Sequence, residues 1–126
     1  MNWYSALIKP PFTPPAWIFA PAWIILYILI FASFIIMLTT KTNERKAGAI
    51  FIFIAQLILN LSWSPAFFVL QNPPLAFGII ILLLISIILT IIAFYKISKL
   101  SAYLLIPYLL WVIFATYLNF GLMVLN

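Results

Sequence analysis

Apolar residues occur along this chain in four long blocks, and three short polar stretches separate them. The blocks cover about 16–38, 47–70, 75–95 and 100–125. Each block holds the roughly 20 apolar residues that a helix needs to cross a bilayer. No charged residue lies between Lys46 and Lys96, so the two central blocks carry no charge at all. Because the connections are short, neighbouring helices should be antiparallel. The pattern predicts an all-α integral membrane protein, an antiparallel bundle of four transmembrane helices that forms a single domain over 1–126.

The first 15 residues interrupt this pattern, because four prolines fall between positions 10 and 15. Proline fixes its own φ angle and also restricts the residue before it, so this stretch is predicted to be extended rather than helical. It also lacks the basic start and apolar core of a cleavable signal peptide. We therefore expect 1–15 to be an extended segment ahead of the first helix rather than a cleavable leader.

Charge adds an orientation to this picture. The net charge is +5, and five of the six basic residues lie in the linkers 39–46 and 96–99, whereas Lys9 is alone at the opposite end. Basic loops favour the cytoplasmic side of a membrane. Both linkers are therefore expected in the cytoplasm, and the unadorned chain suggests a microbial cytoplasmic membrane. Membrane lipid explains these basic flanks, so nucleic acid is not expected as a partner.

The chain lacks the side chains that most catalytic sites use. It contains no histidine and no cysteine, and its one acidic residue is Glu44 in the first basic linker. Ordinary metal ligation and acid–base catalysis have almost nothing to work with, so we expect no enzyme, no metal site and no cofactor. A small multidrug-type exporter would need a carboxylate within the membrane for proton coupling, so that class ranks below a binding protein.

Polar and aromatic residues recur at helical spacing within three of the four blocks. The stripes are Trp23 and Tyr27 in the first, Gln56, Asn60, Trp63 and Ser64 in the second, and Tyr108, Trp111, Ala115 and Asn119 in the fourth. If the stripes converge, they line an aromatic cavity of the kind that binds small apolar molecules. Alternatively, they could hold the helices together by hydrogen bonds, and spacing alone slightly favours this second interpretation. The second interpretation describes a structural or regulatory membrane subunit that binds a protein partner, whose stripes would pair and leave no void.

Two prolines lie inside predicted spans. Pro65 is in the second helix and Pro107 is in the fourth. Each removes a backbone donor and is expected to kink its helix unless neighbouring groups compensate. A kink beside Asn60 could widen a cavity, or it could be a packing adjustment without a role in binding.

Three segments carry a specific resemblance to a known family. They are KPPFTPPAW at 9–17, QLILNLSWSPAFF at 56–68 and LLIPYLLWVIFATYLN at 104–119. In this order and spacing they resemble the tryptophan-rich sensory protein and translocator protein family (TspO/MBR), which includes the mitochondrial peripheral benzodiazepine receptor. The resemblance covers nearly the whole chain. It implies a bundle of five helices, often dimeric, that binds porphyrins and other flat hydrophobic molecules.

Carried over position by position, the resemblance also implies a set of ligand-binding residues. They are Trp23, Asn60, Trp111 and Ala115, with Phe67 nearby and Tyr4 from the proline-rich segment 1–15. The resemblance implies that this segment is a lid that folds over the pocket mouth. We therefore expect a membrane receptor or carrier, sensory, regulatory or transporting in role, that binds porphyrins (tetrapyrroles) and acts as a homodimer.

The chain departs from the family's pattern in two places. The family's first helix is absent, so the expectation is either a start placed at an internal Met1 or a four-helix variant. The animal cholesterol motif needs a basic residue after a tyrosine in the last helix, and no basic residue follows Tyr117. Cholesterol binding by that pattern is therefore not expected.

Overall fold

The computed structural model describes residues 7–126, apart from the side chain of Ala16. Its elements are a 3₁₀ turn (Ala16–Ile18), α1 (Phe19–Thr39), α2 (Ala47–Ser64), a π-helical turn (Pro65–Val69), α3 (Pro73–Tyr95), α4 (Lys99–Leu104) and α5 (Ile106–Leu125). Over this described range four segments are long and apolar enough to cross a membrane, Phe19–Thr39, Ala47–Val69, Pro73–Tyr95 and Lys99–Leu125. The all-α, four-span prediction is confirmed.

The two internal prolines disturb their helices in different ways. At Pro65 the helix widens into the π-helical turn, in which the Leu70 N–H donates to the Pro65 carbonyl at 3.0 Å. Near Pro107 the fourth span is interrupted, and Leu105 separates α4 from α5. The missing N–H of Pro107 leaves the carbonyl of Tyr103 without its usual helical donor. The single helix predicted over 100–125 is therefore two helices.

Side chains define two of the helix ends. The Asn72 side-chain oxygen accepts from the Leu75 N–H at 3.2 Å and caps α3, whose first turn contains two prolines. Helix α3 therefore begins before the predicted position 75, because proline is well suited to a first turn. At the end of α1, the Lys46 ammonium donates to the carbonyls of Leu38 and Thr40 at 2.8 and 2.7 Å. These bonds satisfy carbonyls that have no partner inside the helix.

The bundle has two chemically different ends. We call the end with residues 40–46 and 96–99 the basic end, and the opposite end, with residues 7–15, 70–72 and Asn126, the lid end. Helix α3 packs closely against both α2 and α5, and α1 packs mainly against α4 and only sparsely against α5. Because α4 lies at the basic end, α1 is held there and separates from α5 towards the lid end.

A pair of buried serines holds α1 against α4. The Ser33 hydroxyl donates to the Ser101 carbonyl at 2.7 Å, and the Ser101 hydroxyl donates to the Ser33 carbonyl at 2.7 Å. Both residues are fully buried. We call this pair the serine clasp. It fixes the point from which α1 and the fourth span diverge.

Candidate functional site

A cavity of about 600 Å³ fills the space that opens between α1, α2 and α5 at the lid end. Its walls are formed by Phe19, Ala20, Trp23 and Tyr27 of α1, by Asn60, Trp63, Ser64, Phe67 and Phe68 of α2 and the π-helical turn, and by Trp111, Ala115, Leu118, Asn119 and Leu122 of α5. The lining is mainly apolar and aromatic, with a few amide and hydroxyl groups. Small-molecule sites are generally built in this way, at volumes of about 300–1,000 Å³.

The aromatic side chains of the walls contact one another, edge-to-face around Trp111 and tilted on the α2 side. The rings of Trp23 and Trp111 lie 6.3 Å apart at 88°, and those of Phe19 and Trp111 lie 5.9 Å apart at 67°. On the α2 side Trp63 contacts Phe67, with ring centroids 5.5 Å apart. Such pairs are favoured by the ring quadrupoles and contribute about 0.5–1.5 kcal/mol each beyond the area that they bury. The walls therefore form a preorganised set of ring faces.

One amide of the lining fixes a tryptophan. The Trp63 indole N–H donates to Asn119 Oδ1 at 2.9 Å, and Asn119 Nδ2 donates to the Pro73 carbonyl at 3.0 Å. These bonds link α2, α5 and the start of α3. Asn119 is buried and uses both ends of its amide in this way. Its main effect on the cavity is to set the position of the Trp63 ring.

Four hydrogen-bonded side chains form a network that we call the polar floor, and two of them, Tyr27 and Asn60, line the cavity. The Tyr27 hydroxyl donates to Asn60 Oδ1, Asn60 Nδ2 donates to the Tyr108 hydroxyl at 2.7 Å, and that hydroxyl donates to Gln56 Oε1 at 2.8 Å. These hydrogen bonds join α1, α2 and α5 within the membrane-spanning region. Asn60 is only 5% exposed, and both atoms of its amide have partners within the protein.

Two buried donors among the described residues have no partner, the amide nitrogen Nε2 of Gln56 and the indole nitrogen Nε1 of Trp111. Both atoms are sealed from water by surrounding atoms. Trp111 therefore presents its ring to the cavity while its N–H is shut away. An unsatisfied buried donor costs about 1–3 kcal/mol. Both groups therefore lower the stability of the bundle.

The structure brings five of the six sequence-predicted binding residues to the same cavity. Trp23, Asn60, Phe67, Trp111 and Ala115 all line it. The sixth, Tyr4, lies outside the described residues. That these side chains bind a ligand stays a prediction, and their convergence is a property of the fold.

The two interpretations of the polar stripes are both realised in part. Gln56, Asn60 and Tyr108 do hydrogen-bond across helices, as expected of side chains that hold a bundle together. The stripes nevertheless leave a void of about 600 Å³, which the structural-subunit interpretation did not expect. In the third span, by contrast, Ser86 and Thr90 bond to the carbonyls of Leu83 and Ser86 in their own helix.

Sequence reasoning missed part of the lining, including Phe19, Ala20, Phe68, Leu118 and Leu122. Helical spacing could have found some of them. Phe19 lies four residues before Trp23, and Leu118 and Leu122 follow Ala115 at the i+3 and i+7 positions of one helical face. The described residues contain no group of three or more His, Cys, Asp or Glu side chains that could hold a metal ion.

Comparison with known proteins gives consistent matches along the chain. The model of the TspO/MBR family matches residues 1–125. The chain is 45% identical to the tryptophan-rich protein TspO of Chlorobaculum tepidum, over 98% of this chain and 79% of that protein. It is 35% identical to the tryptophan-rich sensory protein of Cereibacter sphaeroides, over 99% and 77%. It is also 35% identical to the translocator protein of Homo sapiens, over 95% and 72%.

Proposed function

This chain belongs to the TspO/MBR family of multi-pass integral membrane proteins, and from that premise we propose that it is a receptor or carrier that binds porphyrins or similar planar apolar molecules in the cavity between α1, α2 and α5. Its relatives are named for sensing and for translocation. A binding role of this kind, without catalysis, agrees with a sequence that has no histidine, no cysteine and one acidic residue.

One observation carries the proposal, the aromatic cavity of about 600 Å³ among helices long and apolar enough to cross a membrane. An apolar cavity that is preorganised by its own walls requires little rearrangement when a flat ligand enters. Tightly packed interiors have few voids larger than a water molecule. A void of this size is therefore better explained by a ligand than by packing.

Each predicted binding residue has a distinct part in this proposal. Trp23 and Trp111 offer ring faces on which a flat ligand stacks. Ala115 is a buried residue of the lining, and its small side chain leaves room for the ligand. Asn60 Oδ1 accepts from Tyr27 and keeps a second lone pair, which can accept from a polar edge of the ligand. Phe67 closes the wall at the π-helical turn.

The setting of the protein is part of the proposal. With the basic end in the cytoplasm, as basic loops favour, the cavity opens from the opposite half of the membrane. A microbial cytoplasmic membrane and a homodimer remain the expected location and assembly. The many exposed aliphatic side chains on the outer faces of the spans suit contact with lipid or a second copy.

Titration of the purified chain with protoporphyrin IX, followed by quenching of tryptophan fluorescence, tests the proposal. We expect Trp111→Ala to weaken binding about tenfold or more, because it removes a stacking face and its buried area. The matched control is Trp17→Ala, which removes a tryptophan that is 72% exposed and outside the cavity. Equal affinity in the wild type and in Trp111→Ala would show that the cavity is not the site.

The hydrogen-bonded floor favours one second candidate, a structural or regulatory membrane subunit that binds a protein partner. In that case the Asn60 network serves to fix helix positions and the cavity binds nothing. Co-purification of one stoichiometric partner, together with no fluorescence change on adding protoporphyrin IX, would favour this candidate.

A further inference from the structure

The described part of the proline-rich lid, residues 7–15, is bound to the end of the fourth span through its backbone. Asn126 makes two of the bonds, accepting from the Ile8 N–H at 3.0 Å and donating to the Ile8 carbonyl at 2.9 Å. The Tyr117 hydroxyl donates to the Pro11 carbonyl at 2.8 Å. All three bonds link a side chain of α5, or of the residue that follows it, to a main-chain group of the lid. The lid is thus held at two points along its length.

A glycine on α5 provides the space in which the lid sits. A Cβ atom added at Gly121 would lie 2.7 Å from both Cβ and Cγ of Pro10. Pro10 is buried, whereas the other residues of 7–15 are exposed or half-buried. A Cβ added at Gly78 or Gly48 would meet no atom within 4 Å. Gly121 therefore permits a close approach that any other residue would prevent.

The lid also contacts the rim of the cavity. Leu7 packs, together with Phe19 and Trp63, on a small core that includes Phe67 and Leu122. The other four of these side chains also line the cavity. The docked lid therefore places an apolar side chain against the lid end of the binding cavity, and Tyr117, Gly121 and Asn126 lie outside the cavity lining.

We propose that Asn126, Tyr117 and Gly121 form a latch that holds the lid closed both in the ligand-free and in the ligand-bound protein, so that ligand exchange requires the lid to leave α5. This inference rests on the proposed function, since it concerns regulation of the same cavity. The latch acts on rates, because its three residues touch the lid and not the cavity. Weakening the latch should therefore speed association and dissociation by similar factors, with little change in affinity.

The kinetic test uses stopped-flow quenching of tryptophan fluorescence by protoporphyrin IX, with the protein in lipid nanodiscs. Latch variants and their matched controls are Asn126→Ala with Asn43→Ala, Tyr117→Phe with Tyr103→Phe, and Gly121→Ala with Gly78→Ala. Each latch variant should raise the association and dissociation rate constants by about 2- to 10-fold, which is the factor that corresponds to the loss of one hydrogen bond. The controls should leave both rate constants within about twofold of the wild type, as surface changes away from such contacts usually do.

A ligand-free measurement tests the latch itself. The Ile8 amide, protected by Asn126, should exchange its hydrogen faster in Asn126→Ala than in Asn43→Ala.

The outcomes separate the inference from the proposed function. Unchanged Ile8 exchange in Asn126→Ala would overturn the latch. Faster exchange of the Ile8 amide hydrogen with unchanged porphyrin rate constants would overturn the gate and show that ligand reaches the cavity between helices from the bilayer. Absence of quenching in the wild type would instead refute porphyrin binding, while the amide exchange would still decide whether the latch exists.

Discussion

Replacing Tyr108 with phenylalanine should destabilise the bundle much more than one lost hydroxyl group suggests. Tyr108 is fully buried, and its hydroxyl both accepts from Asn60 Nδ2 and donates to Gln56 Oε1. Tyr108→Phe keeps the ring but leaves two further polar groups without partners. Since Gln56 Nε2 is already unpaired, the polar floor of the variant would contain three unsatisfied groups where that of the wild type has one.

The magnitude follows from that count of groups. Hydrogen bonds between transmembrane helices are worth roughly 0.6 kcal/mol each on average and at most about 1.7 kcal/mol. Loss of two should lower the free energy of unfolding by about 1–3 kcal/mol. Gln56→Leu should be nearly neutral, because it removes the unpaired Nε2 and leaves the Tyr108 proton unpaired in its place.

The double variant provides the deciding comparison. With Gln56→Leu and Tyr108→Phe together, only Asn60 Nδ2 in the floor lacks a partner, so the number of unsatisfied groups returns to that of the wild type. Adding Gln56→Leu should therefore recover most of the stability that Tyr108→Phe loses. Additive effects are the usual result for distant, independent sites, whereas coupling is expected for residues in one network.

The assay is unfolding in mixed micelles, followed by the loss of helical circular dichroism as sodium dodecyl sulfate is raised. Tyr103→Phe serves as the control, since Tyr103 is exposed near the basic end. If Tyr108→Phe and the double variant are equally unstable, unsatisfied polar groups do not govern the stability of this floor. Packing around the Tyr108 ring would then govern it instead.

Two further predictions concern the contacts that shape the cavity. Ser101→Ala removes a hydroxyl that donates to Ser33 and should lower the free energy of unfolding in the same assay by about 1 kcal/mol, and no loss would show that the serine clasp does not hold α1. Asn119→Leu leaves the Trp63 indole N–H without its acceptor, so the Trp63 ring should lose its fixed position and protoporphyrin IX should bind several-fold more weakly in fluorescence titration. Unchanged affinity in that variant would show that the ring's position does not matter to binding.

The fold was largely predictable, because the membrane places one strict requirement on every segment that crosses it. A spanning segment must be apolar over about 20 residues and must satisfy its own backbone hydrogen bonds. The four blocks therefore predict four helices with good boundaries. The failures lie at Pro65 and Pro107. A missing donor predicts a disturbance, but whether the helix widens into a π turn or breaks at Leu105 depends on packing that no local pattern contains.

The sequence predicted many of the residues that line the site, but not the hydrogen bonds that they make. Spacing put Asn60 and Trp111 on inward stripes, since residues on one helical face share their neighbours. It did not show that Tyr27 and Tyr108 would occupy both atoms of the Asn60 amide, because those partners come from other helices. It also did not show the unpaired Trp111 N–H, which depends on how the ring is seated among its neighbours.

The serine clasp makes α1 a lever. Phe19, at the cavity, is 14 residues from Ser33, which at about 1.5 Å per residue is an arm of about 21 Å. Rotation of α1 by about 3° around the clasp would move its lid end by about 1 Å over that arm. Transmembrane helices tilt to match bilayer thickness. We therefore expect the width of the cavity to respond to the thickness of the membrane around it, so that the ligand proposed above would be held more or less tightly as the lipid changes.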